Sequence, residues 1–116
     1  MSHRSVYECV NAIVPCRHME WSLEEDVPPL PWAVYVGEQF PICADNGTLA
    51  TRNDWAVELY EHSRDAELEK ALGKAIGAEF GNYTRRESWV KSEDCLMVTY
   101  EFQEIERIED DCEEQG

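Results

Sequence analysis

Basic residues are scarce in this 116-residue chain: ten Lys and Arg stand against 25 Asp and Glu, for a formal net charge of −15. Proteins that bind nucleic acid hold phosphates with clustered Lys and Arg, and here only Arg85 and Arg86 are adjacent, which argues against direct phosphate binding. Long apolar runs are missing as well. No stretch approaches the roughly 20 residues of a membrane span, and the opening MSHRSVYECVNAIVPC lacks the apolar core of a signal peptide, so the chain is expected in the cytosol where it is made. The five cysteines (Cys9, Cys16, Cys43, Cys95, Cys112) are an odd number without a C-x-x-C, which disfavours a disulfide framework and reads as reduced thiols. Also absent are a glycine-rich phosphate loop, a G-x-S-x-G elbow and an H-E-x-x-H pair.

What is present suffices for a core. Hydrophobic residues make up 43% of the chain and aromatics 10%, outside the composition of disordered proteins. A chain of this length buries roughly 65% of its extended-state surface on folding. The expectation is one α+β domain over residues 1–105, a small, mostly antiparallel sheet covered by one or two helices in the order α-β-β-α-β-β. Six of the acids follow Ile105 with only Arg107 among them, so residues 106–116 are expected to form a disordered acidic tail.

The clearest signal spans residues 52–80. Trp55, Val57 and Leu59 alternate with Ala56, Glu58 and Tyr60, the period of a strand with one buried face. From Ala66 the period lengthens: Leu68, Leu72, Ile76 and Phe80 recur every fourth residue and form one stripe of a helix, with Asp65 placed to cap it and Glu67, Lys70 and Lys74 outside. Gly77 and Gly81 offer stops, while Gly73 inside costs about 1 kcal/mol relative to Ala.

Around this unit, residues 2–14 predict a first helix burying Val6, Val10, Ile13 and Val14, capped by Ser2 or Ser5 and ended by Pro15. Residues 16–26, with Trp21 and Leu23, read as a short strand or an ordered crossing, and residues 27–31 as a stiff proline-rich lead-in. Residues 32–36 form a strand that should pair with 55–60. Between them Ala44-Asp45-Asn46-Gly47 signals a turn in a loop or extended hairpin tip carrying Phe40, Ile42 and Leu49. Residues 82–91 and 95–102 predict the last two strands, the latter with Leu96, Val98, Tyr100 and Phe102 on one face.

No catalytic, cofactor-binding or metal-binding residues are assigned. Cys16-Arg17-His18 with Cys9, Cys43 or His62 lacks zinc-ligand spacing. Cys43 or Cys95 with His18 or His62 would make a thiol nucleophile, but unpaired cysteines commonly behave as small buried hydrophobes. The many carboxylates read as solvated faces, and Trp32, Trp55 and Trp89 as core or interface anchors rather than base-stacking platforms. Phe40, Ile42 and Leu49 are the candidate oligomer interface, since apolar side chains in a projecting loop must fold back or be covered by a neighbour.

Three phrases taken in order, PPLPWAVYVGEQF (28–40), WAVELYEHSRDAELEKAL (55–72) and ESWVKSEDCLMVTYEF (87–102), resemble small tail completion, or tail terminator, proteins of long-tailed bacteriophages and prophages. The resemblance covers about two-thirds of the chain; the last six residues, the cysteines and the helix glycines lie outside its pattern. It implies a virion structural protein, not an enzyme, assembled in the host cytoplasm. Copies would form a ring, usually of six, at the head-proximal end of the tail tube. The ring would contact tube and neck proteins while genomic DNA passes through unbound. An acidic inhibitor or DNA mimic occupying a basic protein groove is the alternative that the charge suggests, and a small cysteine enzyme a third.

Overall fold

The computed structural model describes residues 2–18, 29–44 and 47–107. Two helices and five strands follow in the order α1 (Ser2–Asn11), β1 (Cys16–His18), β2 (Trp32–Ala44), β3 (Gly47–Glu61), α2 (Ala66–Phe80), β4 (Tyr83–Val90) and β5 (Cys95–Arg107). The strands form one sheet with the spatial order β1-β2-β3-β5-β4. β1 runs parallel to β2, and the other neighbouring pairs are antiparallel. The α+β class stands, but the sheet is mixed rather than mostly antiparallel. The order α-β-β-α-β-β is likewise corrected to α-β-β-β-α-β-β. The added strand is three residues long, too short to show a hydrophobic period. Tertiary bonds define it: the Cys16 amide donates to Asn11 Oδ1 at 3.1 Å, and the Ala33 amide to the Pro15 carbonyl at 2.8 Å.

The core lies between the helices and one face of the sheet. Val6 and Val10 from α1 and Leu72 and Ile76 from α2 are fully buried against Tyr35, Val57, Leu59, Val98 and Tyr100. Helix α1 stops at Asn11 rather than running to Pro15, and Ile13, expected inside, is 37% exposed. Helix α2 follows its pattern. Asp65 caps it by accepting from the Leu68 amide at 3.1 Å, and Gly81 takes the C-cap. Phe80 stacks on Phe102 with ring centroids 4.7 Å apart. The pairing of residues 32–36 with 55–60 is as expected, Trp32 opposite Tyr60 and Val36 opposite Ala56.

Gly37 sits opposite Trp55, whose six-membered ring lies across it: a Cβ there would be 2.5 Å from Trp55 Cε3 and Cζ3. Only glycine lets the indole lie flat on the strand. Gly37→Val should therefore cost about 1–3 kcal/mol of stability through overpacking, read as a lowered urea midpoint with an unchanged slope. Residues 19–28, 45–46 and 108–116 lie outside the described residues, and with them the crossing through Trp21 and Leu23, the centre of the Asn-Gly turn, Cys112 and most of the acidic tail. β5 itself continues to Arg107, two residues into the stretch read as tail.

Candidate assembly surface

β2 and β3 continue well beyond the helices. Gly37 to Ala44 and Gly47 to Asp54 stay paired, and the end of β5 joins them from Gln103 to Arg107. At about 3.3 Å per residue this arm is roughly 26 Å long, and the molecule measures 54 × 32 × 24 Å. Of the two expectations, a loop or an extended hairpin tip, the structure has the extended hairpin. Apart from a register shift between Ile42 and Cys43, its strands stay paired because Phe40, Ile42 and Thr51 suit pleated backbone, and because β5 satisfies part of the β3 edge.

Strand alternation gives the arm two unlike faces. On one, Phe40 lies opposite Arg52, which lies opposite Ile105, and Ile42 lies opposite Ala50. Phe40 is 37% exposed, Ile42 41% and Ile105 56%. Arg52 covers part of Phe40, its guanidinium carbon 4.4 Å from the ring centroid, and is itself held by Asp54 at 3.1 Å. Leu49, also exposed, sits where the register shifts between Ile42 and Cys43, a bulge that leaves one β3 residue without an opposite number. The other face is polar: Asn53 Nδ2 donates to Glu106 Oε1 at 3.0 Å, and Trp55 Nε1 to Glu104 Oε1 at 3.2 Å. Thus Phe40 and Ile42 come together with Ile105, a residue that sequence reasoning left at the domain's edge. Its spacing of three residues from Phe102, odd in a period of two, would have placed it on the face opposite the core. At the arm's root an open groove of about 860 Å³ is lined by the aromatic Phe80, Tyr83 and Phe102 and by the acidic Glu38, Asp54 and Glu101.

At the other end of β3 lies a buried polar cluster. Glu61 closes the strand at 1% exposure and Glu69 projects from α2 at 4%. Glu69 Oε1 accepts from Arg64 Nη1 at 2.9 Å and from Arg85, while Glu87 accepts from Arg85 Nη1 at 2.8 Å and from Arg64. Glu61 Oε1 accepts from the Asp65 amide at 3.1 Å, and the Tyr100 hydroxyl donates to the Glu69 carbonyl at 2.8 Å. That leaves the second oxygens of Glu61 and Glu69 buried without a donor. A proton on Glu61 supplies the missing bond. Burial, that bond and the Glu69 charge push the Glu61 carboxyl up to about 8. The exposed Glu87 carboxylate moves the other way, lowered by its bonds to Arg64 and Arg85.

The cysteines take scattered positions. Cys16 is buried in β1 and burial pushes its thiol up to about 12; Cys95 is buried at the start of β5 and is raised by burial and by the neighbouring Glu93 and Asp94. Such shifts oppose nucleophile formation. Cys43 is exposed near the arm tip, whereas His62 follows the opposite end of β3. His18 in β1 lies 5.0 Å from the Tyr35 ring. Among the described residues no three His, Cys, Asp or Glu side chains gather as a metal site, and no helix is long and apolar enough to cross a membrane. No protein-family model matches the chain, and no curated protein matches it significantly.

Proposed function

We propose that this chain is a structural virion protein of a long-tailed phage or prophage, one that caps the head-proximal end of the tail tube as a ring and joins it to the neck. The observation that carries the reading is the arm: a lone copy leaves Phe40, Ile42, Ile105 and Leu49 exposed, about 10–20 Å along the strands from Trp55 and Phe102 at the edge of the core. A projecting apolar face and a separate groove lined by both aromatic and acidic side chains are unlike surfaces. Contacts between unlike surfaces run head to tail, and copies joined head to tail close into a ring when the rotation permits. The arm of one copy would lie against the groove beside Trp55 and Phe102 of the next. The ring, of six copies by the resemblance, would be assembled in the host cytoplasm and contact the tube and neck proteins. The net charge of −15 suits a passage for DNA, since carboxylates around the lumen repel the phosphate backbone and let it slide.

The test is a mass measurement over a range of concentrations, with and without tail tubes of the same phage. The 13.4 kDa wild-type chain should give a closed ring of several copies, free or on tube ends, and tubes should stop growing in its presence. Phe40→Asp with Ile42→Asp should abolish both while leaving the circular dichroism unchanged, because neither side chain belongs to the core. Equal behaviour of the two chains in mass and in tube capping overturns the assignment of the arm.

A further inference from the structure

Strand β4 is the outermost strand of the sheet beyond β5, and from Tyr83 to Trp89 every residue is exposed. Among the described residues no strand pairs with its far side. An open edge of this length invites another strand, and proteins ordinarily blunt such edges with charge. β4 carries Arg85, Arg86 and Glu87, yet their spacing complements a second copy of the same strand. We propose that β4 pairs edge to edge with β4 of a second copy, antiparallel, about a two-fold axis that passes through Arg86 perpendicular to the sheet.

An antiparallel pair keeps each residue on the same face as the one opposite it, so the register follows from the sequence. With the axis at Arg86, Tyr83 lies opposite Trp89, Thr84 opposite Ser88 and Arg85 opposite Glu87, each contact made twice. Tyr83, Arg85, Glu87 and Trp89 share the helix-bearing face. There the aromatic pairs close the two ends, where Tyr83 is 37% and Trp89 52% exposed in the single chain. Between them two Arg–Glu pairs extend the existing alternation of Glu69, Arg85 and Glu87 across the axis. The one like-charge contact, Arg86 with its own copy, falls on the other face, where each Arg86 is 70% exposed and paired with Glu101 at 3.3 Å. Shifting the axis to Arg85 or to Glu87 sets that residue against its own copy and breaks both ion pairs. The charges that would repel an arbitrary strand therefore select this one.

The pairing uses none of the arm, shares Tyr83 and Thr84 with the groove proposed to receive it, and does not rest on the ring. Sedimentation of the full chain should show a dimer that Trp89→Lys weakens at least tenfold with unchanged circular dichroism. Under mild oxidation, Arg86→Cys on a Cys43→Ser background should form a disulfide between the two introduced thiols, identified by peptide mass. Thr84→Cys alone should form none, but mixed with Ser88→Cys it should cross-link. The same results are expected when Phe40→Asp and Ile42→Asp are added, which separates this contact from assembly through the arm. A chain that stays monomeric at millimolar concentration, or a dimer that is insensitive to Trp89→Lys and gives no cross-link at Arg86→Cys, overturns the proposal.

Discussion

Glu69→Ala should lower the free energy of unfolding by about 3 kcal/mol, the lower end of what breaking a buried ion pair costs. The lower end applies because Arg64 and Arg85 are about 47% and 34% exposed and keep water and Glu87 after Glu69 is gone. Three elements lose their common anchor together. Arg64 holds the turn after β3, Arg85 holds β4, and Glu61 ends β3 with no second carboxylate to share a proton. Alanine improves helix propensity by a few tenths of a kcal/mol, far too little to offset this. For a domain of this size the loss corresponds to a fall in Tm of about 12 °C. Glu67→Ala, two residues earlier on the exposed side of α2, should change stability by less than about 0.5 kcal/mol. If the two substitutions cost the same, the Arg64–Glu69–Arg85–Glu87 cluster is not what fastens α2 and β4 to the sheet.

That cluster shows where sequence reasoning ran out. Periodicity located α2 and its cap, β4, the start of β5 and the pairing of β2 with β3, because each rests on a local alternation of apolar side chains with polar ones. It left Glu61, Glu69 and Glu87 among carboxylates read as solvated faces and gave Arg85 no partner, since the period shows which face a residue takes but not whether an oppositely charged group sits there. Arg64 and Glu87 are 23 residues apart, and only the return of the chain from α2 into β4 brings them together. Gly73 is a similar case. In the sequence it is a cost to the helix, whereas in the fold a Cβ there would lie 2.5 Å from the Tyr83 hydroxyl, so the glycine admits the ring that packs against Tyr100. Strand β1 was legible only as one of two readings of residues 16–26, a short strand or an ordered crossing, because three residues held by Asn11 and by β2 have no period of their own.

The candidate surface was half legible. Phe40, Ile42 and Leu49 could be picked out as apolar residues in a segment rich in turn signals, but their arrangement depends on register. Pairing Phe40 with Arg52 and Arg52 with Ile105 puts three residues from three strands on one face, while Leu49 is displaced by the bulge. In the two contacts proposed above, the arm and β4 would divide the work of association between them. One presents apolar side chains from a projecting hairpin, and the other presents backbone along a charged edge, so the two contacts respond to different substitutions and different salt.

The pH profile of stability should have its main slope from Glu61. In the unfolded chain this carboxyl gives up its proton near 4.5; in the fold it keeps it to about 8. Between those values the native state holds more protons than the unfolded state, so stability is greatest at the acid end of the window and falls as pH rises through it. A single proton difference gives a slope of up to ~1.4 kcal/mol per pH unit. The groups facing Glu61 set the sign: Glu69 on α2 and Asp65 before it favour the protonated acid by their charge, while the Asp65 amide favours the anion. Arg64 and Arg85 are engaged by Glu69 and Glu87, so neither is committed to Glu61. Glu87 contributes the opposite trend at lower pH, where its depressed titration removes stability as the medium becomes more acid. Glu61→Gln keeps the bond from the Asp65 amide and can donate to Glu69 at every pH. Urea denaturation at pH 5, 6.5 and 8 should therefore give a nearly flat profile for Glu61→Gln across the range in which the wild type declines, with the variant the more stable at pH 8. His62→Gln, altering an exposed neighbour, should retain the wild-type decline. A decline that survives Glu61→Gln but disappears in His62→Gln would move its origin from the buried carboxyl to the imidazole.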